Sequence, residues 1–111
     1  MDNFYLIDLY DIYGELLTKK QQQYFEDYYF DNLSLQEISE NYNVSRNAIF
    51  NSLEYSKEKL ESYESKLNIY KKNKKIKEIV TKIEDKRIKK ELEELIWKGW
   101  KYVWRNNLYK W

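Results

Sequence analysis

No proline occurs anywhere in this chain, and its only glycines are Gly14 and Gly99. These two residue types are the strongest punctuation a backbone has, because one fixes φ and the other frees it. A chain so poor in both is left to run in helices, and its breaks must come from Asn, Asp and Ser chemistry. An all-α fold is therefore expected. The same scarcity excludes a glycine-rich phosphate loop. With 111 residues, 42% of them hydrophobic and 18% aromatic, the chain can bury roughly 65% of its unfolded surface. That suffices for one domain, or one domain with an appendage.

Two further absences narrow the chemistry. Without cysteine there is no disulfide frame, thiolate zinc site or Cys nucleophile, and without histidine there is no imidazole base or Ser–His triad. Asp8 with Asp11, and Glu91 with Glu94, stand three apart as metal-site acids can. With no histidine beside them and acids this common, they read as helix surface. No catalytic residue, metal or cofactor is expected. The start, MDNFYLIDLYD, carries acids where a secretory signal needs positive charge. No apolar run approaches the ~18 residues of a membrane span. A cytoplasmic, non-enzymatic protein is the expectation.

The formal charge of +1 conceals a polar arrangement. Residues 1–40 sum to −7, residues 41–70 to zero, and residues 71–111 to +8. Phosphate-seeking charge therefore lies toward the C-terminal end, and the near-neutral total does not exclude a nucleic-acid partner.

Periodicity places the helices. Leu6, Leu9, Tyr13, Leu16 and Leu17 recur at three- and four-residue steps and predict a helix over Phe4–Leu17, weakened at Gly14. Thr18 and Gln21 form a capping box that opens a second helix through Phe30, with Tyr24, Phe25 and Tyr28 facing the core. Ser34 and Glu37 form another, ahead of a short helix over Leu35–Asn41 with Leu35 and Ile38 inward. Ser45 is a third N-cap. From Arg46 a longer helix carries Ile49, Leu53, Leu60, Tyr63 and Leu67 and runs to about Tyr70. The run Lys71-Lys72-Asn73-Lys74-Lys75 is a linker or a solvated helical turn. Helical spacing resumes at Ile76, Ile79, Val80 and Ile83, and Asp85 caps a further helix with Ile88, Leu92, Leu95 and Ile96 on one face. The division expected is a core over 1–70, a basic helical extension over 71–96, and a Trp-rich basic segment over 97–111.

Residues 34–53 carry the most information: SLQEISENYNVSRNAIFNSL. They meet the demands of a helix-turn-helix in register. Ile38 is the inward residue of the first helix and Ser39 the small one where the helices cross. Asn43 tolerates the left-handed backbone of the turn, and Val44 follows it. Ser45 caps the second helix, Ile49 points inward, and Ala48 suits close helix contact. The start of the second helix then offers Arg46, Asn47, Phe50 and Asn51 to a partner. Arg and Asn can read guanine and adenine edges bidentately, and Phe50 can stack on an unpaired base. Phosphate contacts must come from elsewhere. The candidate nucleic-acid set is thus Ser45, Arg46, Asn47, Phe50, Asn51, Lys57, Lys71, Lys72, Lys74 and Lys75. Such a unit can also serve as a packing or dimer module.

The stretch from Leu16 to Leu53 resembles the fourth region of bacterial sigma factors, and more closely the YlxM family, small proteins encoded beside the signal recognition particle genes. Leu17–Gln21, Leu33–Ile38 and Asn43–Arg46 carry the likeness, which spans about residues 3–96. The resemblance implies an all-α, sigma-region-4-like helix-turn-helix bundle with a C-terminal helical extension. It implies a regulator in the signal recognition particle pathway that binds that particle's RNA, DNA or proteins. Arg46, Asn47 and Asn51 match sigma-like contact positions, whereas Phe50 and Glu54 depart from the basic pattern of sigma recognition helices.

Trp97, Trp100, Trp104, Leu108 and Trp111 fall on one helical face, with Lys98, Lys101, Arg105 and Lys110 off it. This interaction stripe packs on the body or on a second copy, touches anionic membrane, or stacks on RNA.

Overall fold

A computed structural model describes residues 3–96. Its order is α1 (Asn3–Tyr13), a 3-10 turn (Gly14–Leu16), α2 (Lys19–Tyr29), α3 (Leu35–Tyr42), α4 (Arg46–Leu67), α5 (Ile69–Val80) and α6 (Lys86–Ile96). No strand occurs among the described residues, and the all-α helix-turn-helix bundle expected from the sequence is what forms.

Local chemistry sets most boundaries. The Thr18 Oγ accepts the Gln21 N–H while the Gln21 side chain accepts the Thr18 N–H, and Ser34 and Glu37 repeat the exchange at α3. The Ser45 Oγ accepts the Ala48 N–H at 3.0 Å and opens α4. Asp85 Oδ1 accepts from Arg87 and Ile88 and opens α6. Asn32, Asn43 and Asn68 adopt left-handed backbone (φ 58°, 55° and 56°) and end α-helical runs without a glycine.

The core gathers Leu6, Leu9, Tyr10 and Tyr13 of α1, Leu17, Tyr24 and Phe25 of α2 and its entry, Ile38 of α3, and Ile49, Leu53 and Leu60 of α4. The Tyr10 and Phe25 rings stack at 4.3 Å. Gly14 is required there, because a Cβ would meet the Tyr10 ring at 2.9 Å. Gln22 Nε2 donates to the Gly14 and Leu17 carbonyls at 2.9 and 3.1 Å and holds the 3-10 turn closed.

Four expectations are corrected. The first helix ends at Tyr13, and the 3-10 turn shifts the helical phase so that Leu16 is 58% exposed. Ala48 is exposed and makes no close helix crossing. The long helix stops at Leu67, one residue before the Asn68 break, and Leu67 faces outward. Lys71–Lys75 lie inside α5, so the solvated-helix alternative holds and the linker does not.

Candidate nucleic-acid interface

The helix-turn-helix is α3, the Asn43–Ser45 turn and the first turns of α4. Ile38 and Ile49 meet in its interior, both fully buried. Ser39 is buried where the helices cross, and its hydroxyl is satisfied by donating to the Gln36 carbonyl at 2.7 Å. The unit is fixed to α2 through a buried carboxylate. Tyr42 Oη donates to Asp27 Oδ2 at 2.9 Å, Gln23 Nε2 donates to Asp27 Oδ1 at 3.3 Å, and the Tyr42 ring sits edge-on to Tyr24. Burial, then the bond to Asp27, pushes the Tyr42 phenol above its ordinary range.

This scaffold leaves Arg46, Asn47, Phe50 and Asn51 exposed together on the first turns of α4, with Phe50 48% accessible. Ser45 is exposed beside them, its Oγ already committed to the cap. The N-terminal end of a long helix adds partial positive charge to the same spot. Lys57 lies further along, half-buried, with Nζ 4.0 Å from Glu54 Oε2. That glutamate partly neutralises the first lysine of α4. Lys59 is drawn aside over the Tyr55 and Tyr63 rings at 5.8 and 5.9 Å.

Lys71, Lys72, Lys74 and Lys75 are exposed on α5. They follow the C-terminal end of α4, where the Lys71 N–H meets Glu64, 13 residues after Asn51 and so ~20 Å along the helix. The candidate set therefore falls into one group at the start of α4 and another at its far end, with Lys57 between them. What fixes the second group was not foreseen from sequence. Glu64 is buried and caps α5: its Oε1 accepts from Tyr13 Oη (2.7 Å) and the Tyr70 N–H (2.9 Å), and its Oε2 from the Lys71 N–H (3.2 Å). Tyr13 Oη in turn accepts the Ile69 N–H at 3.2 Å. Burial, then the bond to Glu64, raises the Tyr13 phenol to about 12. The available signal was register, since Glu64 continues the stripe Ile49, Leu53, Ser56, Leu60.

Trp97, Trp100, Trp104, Leu108 and Trp111 lie outside the described residues. Among the described residues no cluster of acids could hold a metal ion, and no helix is long and apolar enough to cross a membrane.

Comparison with known proteins matches residues 1–98 to the family described as "Putative helix-turn-helix protein, YlxM / p13 like". Proteins named as UPF0122 members are similar. One from Mycoplasma capricolum is 41% identical over 102 residues, covering 87% of this chain and 88% of its own. One from Malacoplasma penetrans is 51% identical over 87 residues, covering 78% and 80%. One from Ureaplasma urealyticum is 46% identical over 92 residues, covering 83% and 93%.

Proposed function

The chain belongs to the YlxM/p13-like helix-turn-helix family, and from that premise we propose that it is a non-enzymatic, nucleic-acid-binding regulator of the bacterial cytoplasm. Its target is the RNA, or DNA, of the signal recognition particle pathway, with that particle's proteins as further contacts. The observation that carries the reading is the joint exposure of Arg46, Asn47, Phe50 and Asn51 on the capped start of α4. Arg46, Asn47 and Asn51 supply base-edge donors and acceptors, and Phe50 supplies a stacking face. The α5 lysines supply phosphate contacts from the other end of α4, where Lys71 is held by Glu64. Phe50 and the Glu54–Lys57 pair favour a partly unpaired RNA over a plain duplex, since a duplex reader needs more cations beside its recognition helix.

The test is a titration of the full chain with signal recognition particle RNA and with random duplex DNA between about 50 and 200 mM salt. Six phosphate contacts predict a loss of ~10³-fold in affinity over that range. Arg46→Ala with Asn51→Ala weakens binding at every salt concentration. Replacing Lys71, Lys72, Lys74 and Lys75 by alanine flattens the salt dependence. Absence of binding to either nucleic acid at low salt sinks the reading. A defect produced only by Trp100→Ala and Trp104→Ala would favour an interaction module instead.

A further inference from the structure

The α5–α6 hairpin carries an apolar face that nothing in the chain's described residues covers. Helix α6 has no buried residue at all. Ile88 is 44% exposed and Leu95 73%, and on α5, which packs against α6, Ile79 is 55% exposed and Ile76 39%. A short surface helix gains little stability from its own backbone in water and persists by burying an apolar stripe. We propose that a second copy of this chain covers this face, its α6 lying antiparallel to the first and the two hairpins meeting across a twofold axis.

The charge order of α6 selects that occupant. Lys86, Arg87, Lys89 and Lys90 fill its N-terminal half, and Glu91, Glu93 and Glu94 its C-terminal half. Lys86 and Lys90 stand four residues apart as like charges, a destabilising pair within one helix. Within the helix, Lys89–Glu93 and Lys90–Glu94 also run in the weaker order for i,i+4 pairs. An antiparallel copy answers both defects. It lays each basic half along the partner's acidic half, and a twofold axis makes the match twice. A nucleic acid or an anionic bilayer would meet the three glutamates with like charge.

The segment 97–111 is the other candidate cover, and the relatives argue against it. The family match takes in all of α6 and ends at residue 98. The Ureaplasma urealyticum relative is matched over 93% of its length but over only 83% of this chain, so a shared segment as long as 97–111 beyond the match does not fit in it. A face within the family's matched region calls for a cover its members share, and every member has a second copy of itself.

Sedimentation equilibrium of the full chain tests this, with circular dichroism to confirm folding. The expected mass is twice the 13.9 kDa chain, falling to one chain's mass for Ile88→Glu with Leu95→Glu. Should that variant fail to fold, charge reversal decides. Lys89→Glu with Lys90→Glu, and separately Glu93→Lys with Glu94→Lys, each weaken self-association at least about tenfold, and mixing the two proteins restores a dimer. A single-chain mass at every concentration overturns the proposal, as does a dimer indifferent to these substitutions. All four tryptophans lie in 97–111, so fluorescence reports on that segment alone. A monomer in which Leu95→Glu red-shifts tryptophan emission assigns the face to the tail and overturns the second copy.

Discussion

The Tyr13 hydroxyl donates to the buried Glu64 carboxylate at 2.7 Å across 51 residues of sequence. The same carboxylate receives the Tyr70 and Lys71 amides, so one side chain joins α1, α4 and α5. Glu64→Ala takes the acceptor from the buried Tyr13 O–H and from two helix-start amides, and it should cost ~2–4 kcal/mol in urea unfolding. Amide exchange at Tyr70 and Lys71 should accelerate more than at Ile38. Tyr13→Phe should cost ~1–2 kcal/mol, and the double variant less than the sum, because the two share one interaction.

Alkaline pH should probe the same bond. The ordinary phenol value is 10.0, and burial with the Glu64 bond carries Tyr13 to about 12. The native state holds the protonated phenol more tightly than the unfolded chain does. Its stabilisation is therefore complete below pH 10 and is lost as pH rises from there toward 12. Tyr13→Phe should show a shallower decline over that window, read by thermal unfolding at stepped pH.

Acid should probe the α3 cap. Glu37 accepts the Ser34 N–H at 3.0 Å, which, with the Ser34 hydroxyl, lowers its carboxyl below the ordinary 4.5. The ionised form is favoured by folding, so this contribution is present above pH 4.5 and disappears as pH falls through the lowered folded value. Glu37→Gln keeps an acceptor and should remove that part of the pH dependence, making unfolding curves of the two proteins converge in acid.

Ser56 is fully buried among the α4 core residues, and its Oγ has no hydrogen-bond partner among the described residues. Ser56→Ala removes a desolvated hydroxyl and installs a better helix former. It should raise stability by ~0.5–1.5 kcal/mol, seen as a higher Tm with unchanged denaturant slope.

Asn43 turns the helix-turn-helix at φ 55°. Asn43→Gly should be tolerated. Asn43→Val forces a β-branched residue into left-handed backbone and should cost at least ~1–2 kcal/mol. It should also weaken nucleic-acid binding, because the turn aims the start of α4.

The parts legible in the sequence were those governed by neighbours three or four residues apart. Ser34 with Glu37, Thr18 with Gln21, and Ser45 ahead of Ala48 announce their helices because each cap is a closed local exchange. The Asn43 turn and the inward Ile38 and Ile49 followed from the same short-range pattern. The exposed group Arg46, Asn47, Phe50 and Asn51 then came out of helical phase alone. The illegible parts depend on distant chain. Asn68 reads as one more polar helix residue until Tyr13 and Glu64, both remote from it or hidden in a stripe, take up the amides that its break releases. Leu16 keeps the apolar rhythm of α1, but Gly14 beneath the Tyr10 ring changes the phase before it arrives. The distance between the two basic groups was likewise invisible, because it depends on where α4 stops.

One residue, Asn68, is all that separates α4 from α5. A joint this short has no slack, so the pair tolerates substitution far better than insertion or deletion. Adding one residue between Leu60 and Glu64 would turn everything after it by about 100° and carry the carboxylate out of reach of Tyr13. The length from Arg46 to Glu64 therefore works as a ruler. Evolution can repaint the markings along it, but gaining or losing a single codon there would uncouple the recognition turn from the lysine-bearing helix it is measured against.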